Sequence, residues 1–307
     1  FAETVLVDGS SLAPTSFGEF DEDSPQIFKP IDVSGLTFGT NGFYLDYKSS
    51  GNLGNDANGG TDFTEANLAT TDQSTDTPTN NFAVMNNLAI HPSSTFTFSE
   101  GNLQFATSSS TRGYWISTIA VSSGKWYWEY KCTNNQSRTC VGIAGAPAAT
   151  NNDPESGDHD NATIYTTING KISYNSNGGT DNYYNSATGS DDVIIGCALD
   201  LTSSTNTIAF SIDGAWVTGS GTTSTDFANV LVNDDFTNVS STVNGVYHFI
   251  AGDDGGDQDI GGQANFGNPP FSISSGNADG NGYGNFEYAV PANYYSLCTK
   301  NLAEYGG

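Results

Sequence analysis

The chain has 307 residues, with 8 Lys plus Arg against 34 Asp plus Glu, and a formal net charge of -26. So acidic a surface repels nucleic acid and anionic membranes, and no apolar run reaches the roughly 18 residues of a membrane-spanning helix. Gly, Ser, Thr and Asn are plentiful and no 3.6-residue apolar period is sustained, so the composition implies an almost all-β chain with long loops.

Phe1-Ala2-Glu3 is neither an initiator methionine nor a basic leader, so the chain is expected to begin inside a longer protein. A short apolar run, Phe1 to Leu6, turns at Asp8-Gly9-Ser10. An acidic turn follows at Asp21 to Pro25, and Lys29-Pro30 marks an edge segment. Gly42 to Tyr47 alternates as a strand, with Phe43, Leu45 and Tyr47 on one face. Asp56, Asn58 and Asp62 offer oxygen ligands to a Ca²⁺ ion, but without EF-hand spacing or a closing Glu; a polar turn is the competing reading. The Thr/Asp/Asn-rich stretch Thr64 to Pro78 sets a boundary. It yields a β leader over 1–76, a sandwich over 77–302 and a tail over 303–307.

Phe96 to Phe98 pairs with Asn102 to Phe105, and Gly113 to Ala120 is the next strand, carrying Trp115. Val121 to Tyr130 is the densest aromatic run. Trp126, Trp128 and Tyr130 fall on one strand face and Tyr127, Glu129 and Lys131 on the other. Such a strand buries one side and carries charge on the other, so Trp115, Trp126 and Trp128 are assigned to the core. Cys140 to Ala144 follows across a polar loop and reads as the second arm of a central hairpin. Cys132 and Cys140 sit symmetrically about Gln136, which permits a cross-strand disulfide or two thiols. Cys197 and Cys298 read as buried thiols, with a second disulfide as the alternative, and no CxxC pair supports a zinc site.

Ala162 to Ile168 and Lys171 to Tyr174 form a hairpin through Asn169-Gly170. Val193 to Asp200 is a core strand, and Thr207 to Ile212 returns to Ala215 to Val217 through Asp213-Gly214. Phe227 to Val232 and Val246 to Ala251 are further β segments. Ala264 to Phe266 is stopped by Gly267-Asn268-Pro269-Pro270. A Gly/Asn-rich excursion, Gly276 to Asn285, precedes a closing element over Pro291 to Leu302.

Candidate chemistry is sparse. His159 stands between Asp158 and Asp160, but no Gly-x-Ser-x-Gly or His-Glu-x-x-His accompanies it. No enzyme is expected; a glycoside hydrolase, needing only two carboxylates close in space, is the alternative. Asp253, Asp254, Asp257 and Asp259 lie among glycines, where they either hold Ca²⁺ or splay into water. No other cofactor is implied. The ligand-facing surface is expected from loops at one end of the sandwich: Asn151 to Asn161, Asn175 to Ser190 and Gly252 to Gly262. Tyr183 and Tyr184 are the candidate anchors, with Asp181, Asn182 and Asn185 as polar neighbours.

The segments SSGKWYWEYKCT from Ser122, RTCVGIAGA from Arg138, DVIIGCALDLTSSTNTIAFSIDGAWV from Asp192 and ANFGNPPF from Ala264 occur in the order of a known pattern. Together they resemble the SPRY/B30.2-type, concanavalin A-like β-sandwich, in the version found in tailed-phage structural proteins. The front segments LVDGSSLAPTSFGEF and DVSGLTFGTNGFYLDY resemble the leader of those proteins. The resemblance covers roughly Thr77 to Leu302 and implies an antiparallel β-sandwich jelly roll. It further implies a virion structural protein, a tail-fibre or appendage subunit for host attachment, located in the virion and extracellular. Its partners would be other virion proteins and a host-surface glycan or protein, with a homo-oligomer, a trimer among the options. An architectural decoration or joining protein and a secreted glycan-binding protein or hydrolase are the alternative classes.

Overall fold

The computed structural model of the chain describes residues 2–22, 25–26, 28–90, 96–107, 113–135, 139–145, 163–166, 171–174, 182–183, 191–202, 206–218, 222–229, 245–253 and 259–306. Two units result, Phe1–Asn81 and Phe82–Gly307. Phe82 opens the second because it bridges to Cys298, while the Ala83 amide donates to the Leu297 carbonyl at 2.9 Å.

The first unit has four short strands, β1 (Thr4–Leu6), β2 (Gly18–Phe20), β3 (Phe28–Pro30) and β4 (Phe43–Leu45). β1 pairs with β4, and β2 with β3, both antiparallel. Val33, Phe38 and Tyr44 form a small core in which Phe38 stacks on Tyr44 at 6.0 Å. The buried face of β4 is thus that of Tyr44, not that of Phe43, Leu45 and Tyr47. The Tyr44 amide donates to buried Asp56 Oδ1 at 2.9 Å, which anchors that register. Asp56 Oδ1 also accepts from the Asn58 amide, and Asp62 accepts from the Asp56 amide and Asn52 Nδ2. These carboxylates serve the loop's own backbone, as in a polar turn.

The second unit contains β5 (Met85–Ile90), β6 (Phe96–Ser99), β7 (Gln104–Thr107), β8 (Gly113–Val121), β9 (Lys125–Asn135), β10 (Thr139–Ala144), β11 (Thr163–Thr166) and β12 (Lys171–Tyr174). It continues with β13 (Asn182–Tyr183), β14 (Ile194–Asp200), β15 (Thr207–Ile212), β16 (Ala215–Val217), β17 (Thr223–Ser224), β18 (Tyr247–Asp253), β19 (Ile260–Asn265) and β20 (Tyr295–Ser296), ending in helix α1 (Thr299–Tyr305). Seven strands form one sheet in the order β13-β12-β11-β10-β18-β8-β5. Nine form the other, β17-β16-β15-β14-β9-β19-β7-β6, with β20 added in parallel to β9. The remaining ladders are antiparallel, so the unit is an antiparallel β-sandwich with a single α-helix among the described residues.

Core chemistry follows from alternation. Trp126, Trp128, Tyr130 and Cys132 point inward from one sheet, and Val141, Ile143, Phe249 and Ala251 share the same core from the other. Trp115, Trp126 and Trp128 are fully buried. Trp128 stacks on Phe266 at 5.2 Å and meets Trp115 edge-on at 5.9 Å.

This arrangement corrects the central hairpin. β9 lies between β14 and β19, and β10 between β11 and β18, so the polar loop joining them crosses from one sheet to the other. Both edges of each strand are already occupied. Cys132 faces the inner core, whereas Cys140 clusters with Tyr114, Ile164 and Ile250 on the opposite face of its sheet. The proposed Cys132–Cys140 disulfide is therefore not formed, and all four cysteines are buried thiols.

The charged face of β9 is also not at the surface. Tyr127, Ala198, Ala209 and Trp216 are covered by Phe286 and Tyr294 from the C-terminal segment. Glu129 is buried beneath it and accepts four hydrogen bonds: Tyr127 Oη at 3.0 Å, Asn265 Nδ2 at 3.1 Å, the Glu287 amide at 3.0 Å and the Tyr288 amide at 2.8 Å. Burial pushes the Glu129 carboxyl above its ordinary value, and the four donated bonds pull against that shift. The Gly/Asn-rich excursion thus folds back as an ordered cover, with Asn277 and Phe286 exchanging backbone hydrogen bonds. Residues from Ala303 are not a loose tail either: Tyr305 ends α1 and stacks on Tyr295 at 3.9 Å.

Trp128 has the densest aromatic surroundings of the core. Trp128→Ala is expected to cost about 3–5 kcal/mol, read as a lower denaturant midpoint in urea unfolding; an unchanged midpoint would contradict this core assignment.

Candidate functional site

Short connections define the two ends of the sandwich. The turn from Val121 to Lys125 links β8 to β9 at one end, and the crossing from Asn135 to Thr139 links β9 to β10 at the other. Asp200 pairs with Lys125 and so lies at the first end, whereas Ile194 pairs with Lys131 toward the second.

At the first end, Gly124 has φ +88°, and a Cβ on it would lie 2.8 Å from the Tyr305 carbonyl oxygen. Glycine is needed there to let the C-terminal helix approach the turn. Ser123 Oγ donates to that carbonyl at 3.0 Å, Trp126 Nε1 donates to the Ser123 carbonyl at 2.6 Å, and the Leu201 amide donates to the Gly124 carbonyl at 2.9 Å. A cleft of about 480 Å³ opens between the turn, the end of β14 and the C-terminal segment. Ser123, Lys125, Thr202, Asn293, Tyr295 and Tyr305 supply its side-chain chemistry.

Its far wall is held by a second buried carboxylate. Asp279 Oδ2 accepts from the Ser296 amide at 2.9 Å, Ser296 Oγ at 2.7 Å and Asn301 Nδ2 at 2.7 Å. Its Oδ1 accepts from the Asn281 and Tyr283 amides, each at 2.9 Å. The strand and helix carrying Tyr295 and Tyr305 are thereby locked to the excursion. Lys125 Nζ lies 2.6 Å from Asp200 Oδ2 and 5.6 Å from the Tyr294 ring centroid. Partial burial works to raise Asp200, but hydrogen bonds from Lys125 and Thr202 outweigh it and hold the carboxyl below its ordinary value. A hydrogen bond with Tyr295 pushes Tyr305 up to about 12. At neutral pH Tyr305 is therefore an uncharged phenol, beside the Lys125–Asp200 ion pair.

The candidate sites from sequence distribute differently. Asn182 and Tyr183 form β13 at a sheet edge, paired with Ile172 and Lys171, instead of standing in a loop. Asp181, Tyr184 and Asn185 lie outside the described residues. Asp253 is buried at the end of β18, in register with Gly113 and Thr139, and Asp259 is exposed before β19. Asp254 and Asp257 lie outside the described residues, and among those described no three His, Cys, Asp or Glu side chains gather as metal ligands. Of the three candidate loops, Asn151 to Asn161, most of Asn175 to Ser190 and the middle of Gly252 to Gly262 lie outside the described residues. Lys125, Asp200, Tyr295 and Tyr305 escaped sequence reading because strand register and the fold-back of the C-terminal segment bring them together.

Two antiparallel sheets enclose one aromatic core, with an open cleft at one end. Residues 125–233 match the family model of the SPRY domain. Among solved structures, the SPRY domain of human HERC1 is similar at 15% identity and a TM-score of 0.41, over 59% of this chain and 96% of that one. A human SPRY domain is similar at 11% identity and 0.37, over 58% and 97%, and the TRIM65 PSpry domain at 12% and 0.39, over 60% and 92%. Comparison with curated proteins gives no match.

Of the histidines, His91 and His159 lie outside the described residues. His248 Nδ1 donates to the Ser117 carbonyl at 2.8 Å. Burial lowers its pKa from about 6.5, the Ser117 carbonyl opposing in part. The unfolded chain then binds more protons between that ordinary value and the lowered folded one, so stability falls as pH drops through this window. The expected outcome is a unfolding midpoint that declines below about pH 6.5 and a His248→Gln variant in which that component of the decline is missing; parallel pH profiles would contradict it.

Proposed function

We propose that this chain is a binding module whose end cleft receives a neutral, ring-bearing ligand, a surface glycan. The observation that carries the reading is the lining itself: the stacked Tyr295–Tyr305 pair beside the hydroxyls of Ser123 and Thr202 and the amide of Asn293. Aromatic rings give an apolar platform for a sugar ring, and the flanking groups supply donors and acceptors for its hydroxyls. A chain of charge -26 disfavours anionic ligands. The module acts by binding; its described cleft lining offers hydroxyl, amide and aromatic groups beside Lys125.

The finer reading makes this module part of a tail-fibre or appendage subunit used by a tailed phage for host attachment, and so a virion component exposed outside the cell. Its support is the resemblance of the leader and of the sandwich motifs to phage structural proteins. Mass spectrometry of purified particles tests that placement, and absence of the protein from the particle fraction would remove it.

Binding of the purified chain to an array of neutral oligosaccharides tests the ligand class. Wild type is expected to retain at least one glycan, and Tyr305→Ala to weaken that binding about tenfold or more with circular dichroism unchanged. Binding to no glycan by folded protein, or undiminished binding by Tyr305→Ala, would overturn the reading.

A further inference from the structure

Most of the polar chemistry lining the cleft is already engaged within the chain. Ser123 Oγ donates to the Tyr305 carbonyl at 3.0 Å, and Thr202 Oγ1 donates to Asp200 Oδ1 at 2.7 Å. Lys125 is matched by Asp200 at 2.6 Å. Tyr305 shares a hydrogen bond with Tyr295 and accepts another from Asn281 Nδ2 at 3.4 Å. Among the described residues, the exposed Asn293 amide is the one polar side chain of the lining without a partner in the chain.

The backbone does not by itself call for an amide there. Asn293 is the third residue of a turn closed by the Tyr294 amide on the Pro291 carbonyl at 3.0 Å, and it has φ +67°. Glycine fills that left-handed position at least steric cost, and asparagine is tolerated in it. Pro291 and Tyr294, the ends of the turn, are buried, and the Tyr294 ring meets Phe227 at 5.5 Å. The turn is thus fixed from both ends, and it carries the carboxamide to the cleft with little backbone freedom left to lose on binding.

We infer that Asn293 is the specificity-determining residue of the cleft and that it reads a pair of adjacent hydroxyls on a neutral sugar ring. The inference rests on the glycan reading above. A carboxamide sets one acceptor beside one donor in a plane, so Oδ1 takes the hydrogen of one hydroxyl while Nδ2 donates to its neighbour. Ser123 and Thr202 have given their hydroxyl hydrogens to Tyr305 and Asp200, so both offer a ligand oxygen lone pairs only. The ligand must therefore bring hydrogens of its own. A ring with free hydroxyls does so. One bearing carboxylate or sulfate in their place sets acceptors against acceptors, on a chain of charge -26. A site built to pair with a hydroxyl also refuses the analogue that lacks it.

Titration of the purified chain with the neutral oligosaccharide it retains on the array, and with the monodeoxy and mono-O-methyl analogues of that sugar, tests the inference. For wild type, altering either of two adjacent hydroxyls is expected to raise Kd about tenfold. Asn293→Gly suits the left-handed backbone and is expected to keep its circular dichroism spectrum, to bind the parent sugar about tenfold more weakly, and to lose the penalty for those two analogues. Asn293→Asp keeps the shape but exchanges the donor for a second acceptor, and is expected to bind as weakly as Asn293→Gly. A folded Asn293→Gly that binds as wild type while Tyr305→Ala loses binding overturns the role of Asn293 and leaves the glycan cleft standing. Weaker binding with the analogue penalties unchanged overturns it too, because the amide then acts only through the turn. Wild type that retains no neutral oligosaccharide overturns the cleft reading and this inference together.

Discussion

Glu129 is a carboxylate in a place without water, and it must be met there by donors. Removing an ionised group from solvent costs several kcal/mol unless hydrogen bonds replace the lost hydration, so a buried acid of this kind dictates what surrounds it. Tyr127 and Asn265 supply two donors from the sheet. The other two are the backbone amides of Glu287 and Tyr288, which only the returning C-terminal segment can deliver. The polar requirement of one side chain in β9 thus determines where that segment lies. Once it is seated, Phe286 and Tyr294 close over Tyr127 and Trp216, and β20 adds in parallel beside β9.

That sequence of dependencies leads to the cleft. The inner faces of the sheets are consumed by the tryptophan core and the outer face of β9 by the cover, so recognition chemistry is left to the ends. At the Val121–Lys125 end, the same C-terminal segment that satisfies Glu129 carries Tyr295 and Tyr305 into place, with Asp279 tying strand and helix to the excursion. The family match spans residues 125–233, so five of the eight residues lining the cleft, Ser123, Gly124, Asn293, Tyr295 and Tyr305, come from chain outside it.

Much of the sandwich was legible because it depends on local pattern. Alternation placed Trp126, Trp128 and Tyr130 on one face of a strand, and Asp213-Gly214 announced its turn; Asp213 and Gly214 indeed adopt positive φ. What escaped depends on partners distant in sequence. A polar loop of a few residues between Cys132 and Cys140 suits a hairpin and a sheet-to-sheet crossing equally well, and only the ladders on either side decide. Glu129 beside Lys131 read as a solvated face because three of its four donors lie 136 to 159 residues away. The Gly/Asn-rich composition of the excursion suggested a loop, yet those residues give the tight turns that aim backbone amides at Asp279.

The central claim is that the buried carboxylate of Glu129 holds the C-terminal segment on the sandwich and thereby builds the cleft. Hydrogen exchange of wild type and Glu129→Ala, followed by mass spectrometry, tests it most directly. The account predicts loss of protection concentrated in peptides spanning Asn277 to Tyr305, while β10 and β18 in the other sheet keep theirs. Unchanged exchange over Asn277 to Tyr305 in a folded variant would contradict it.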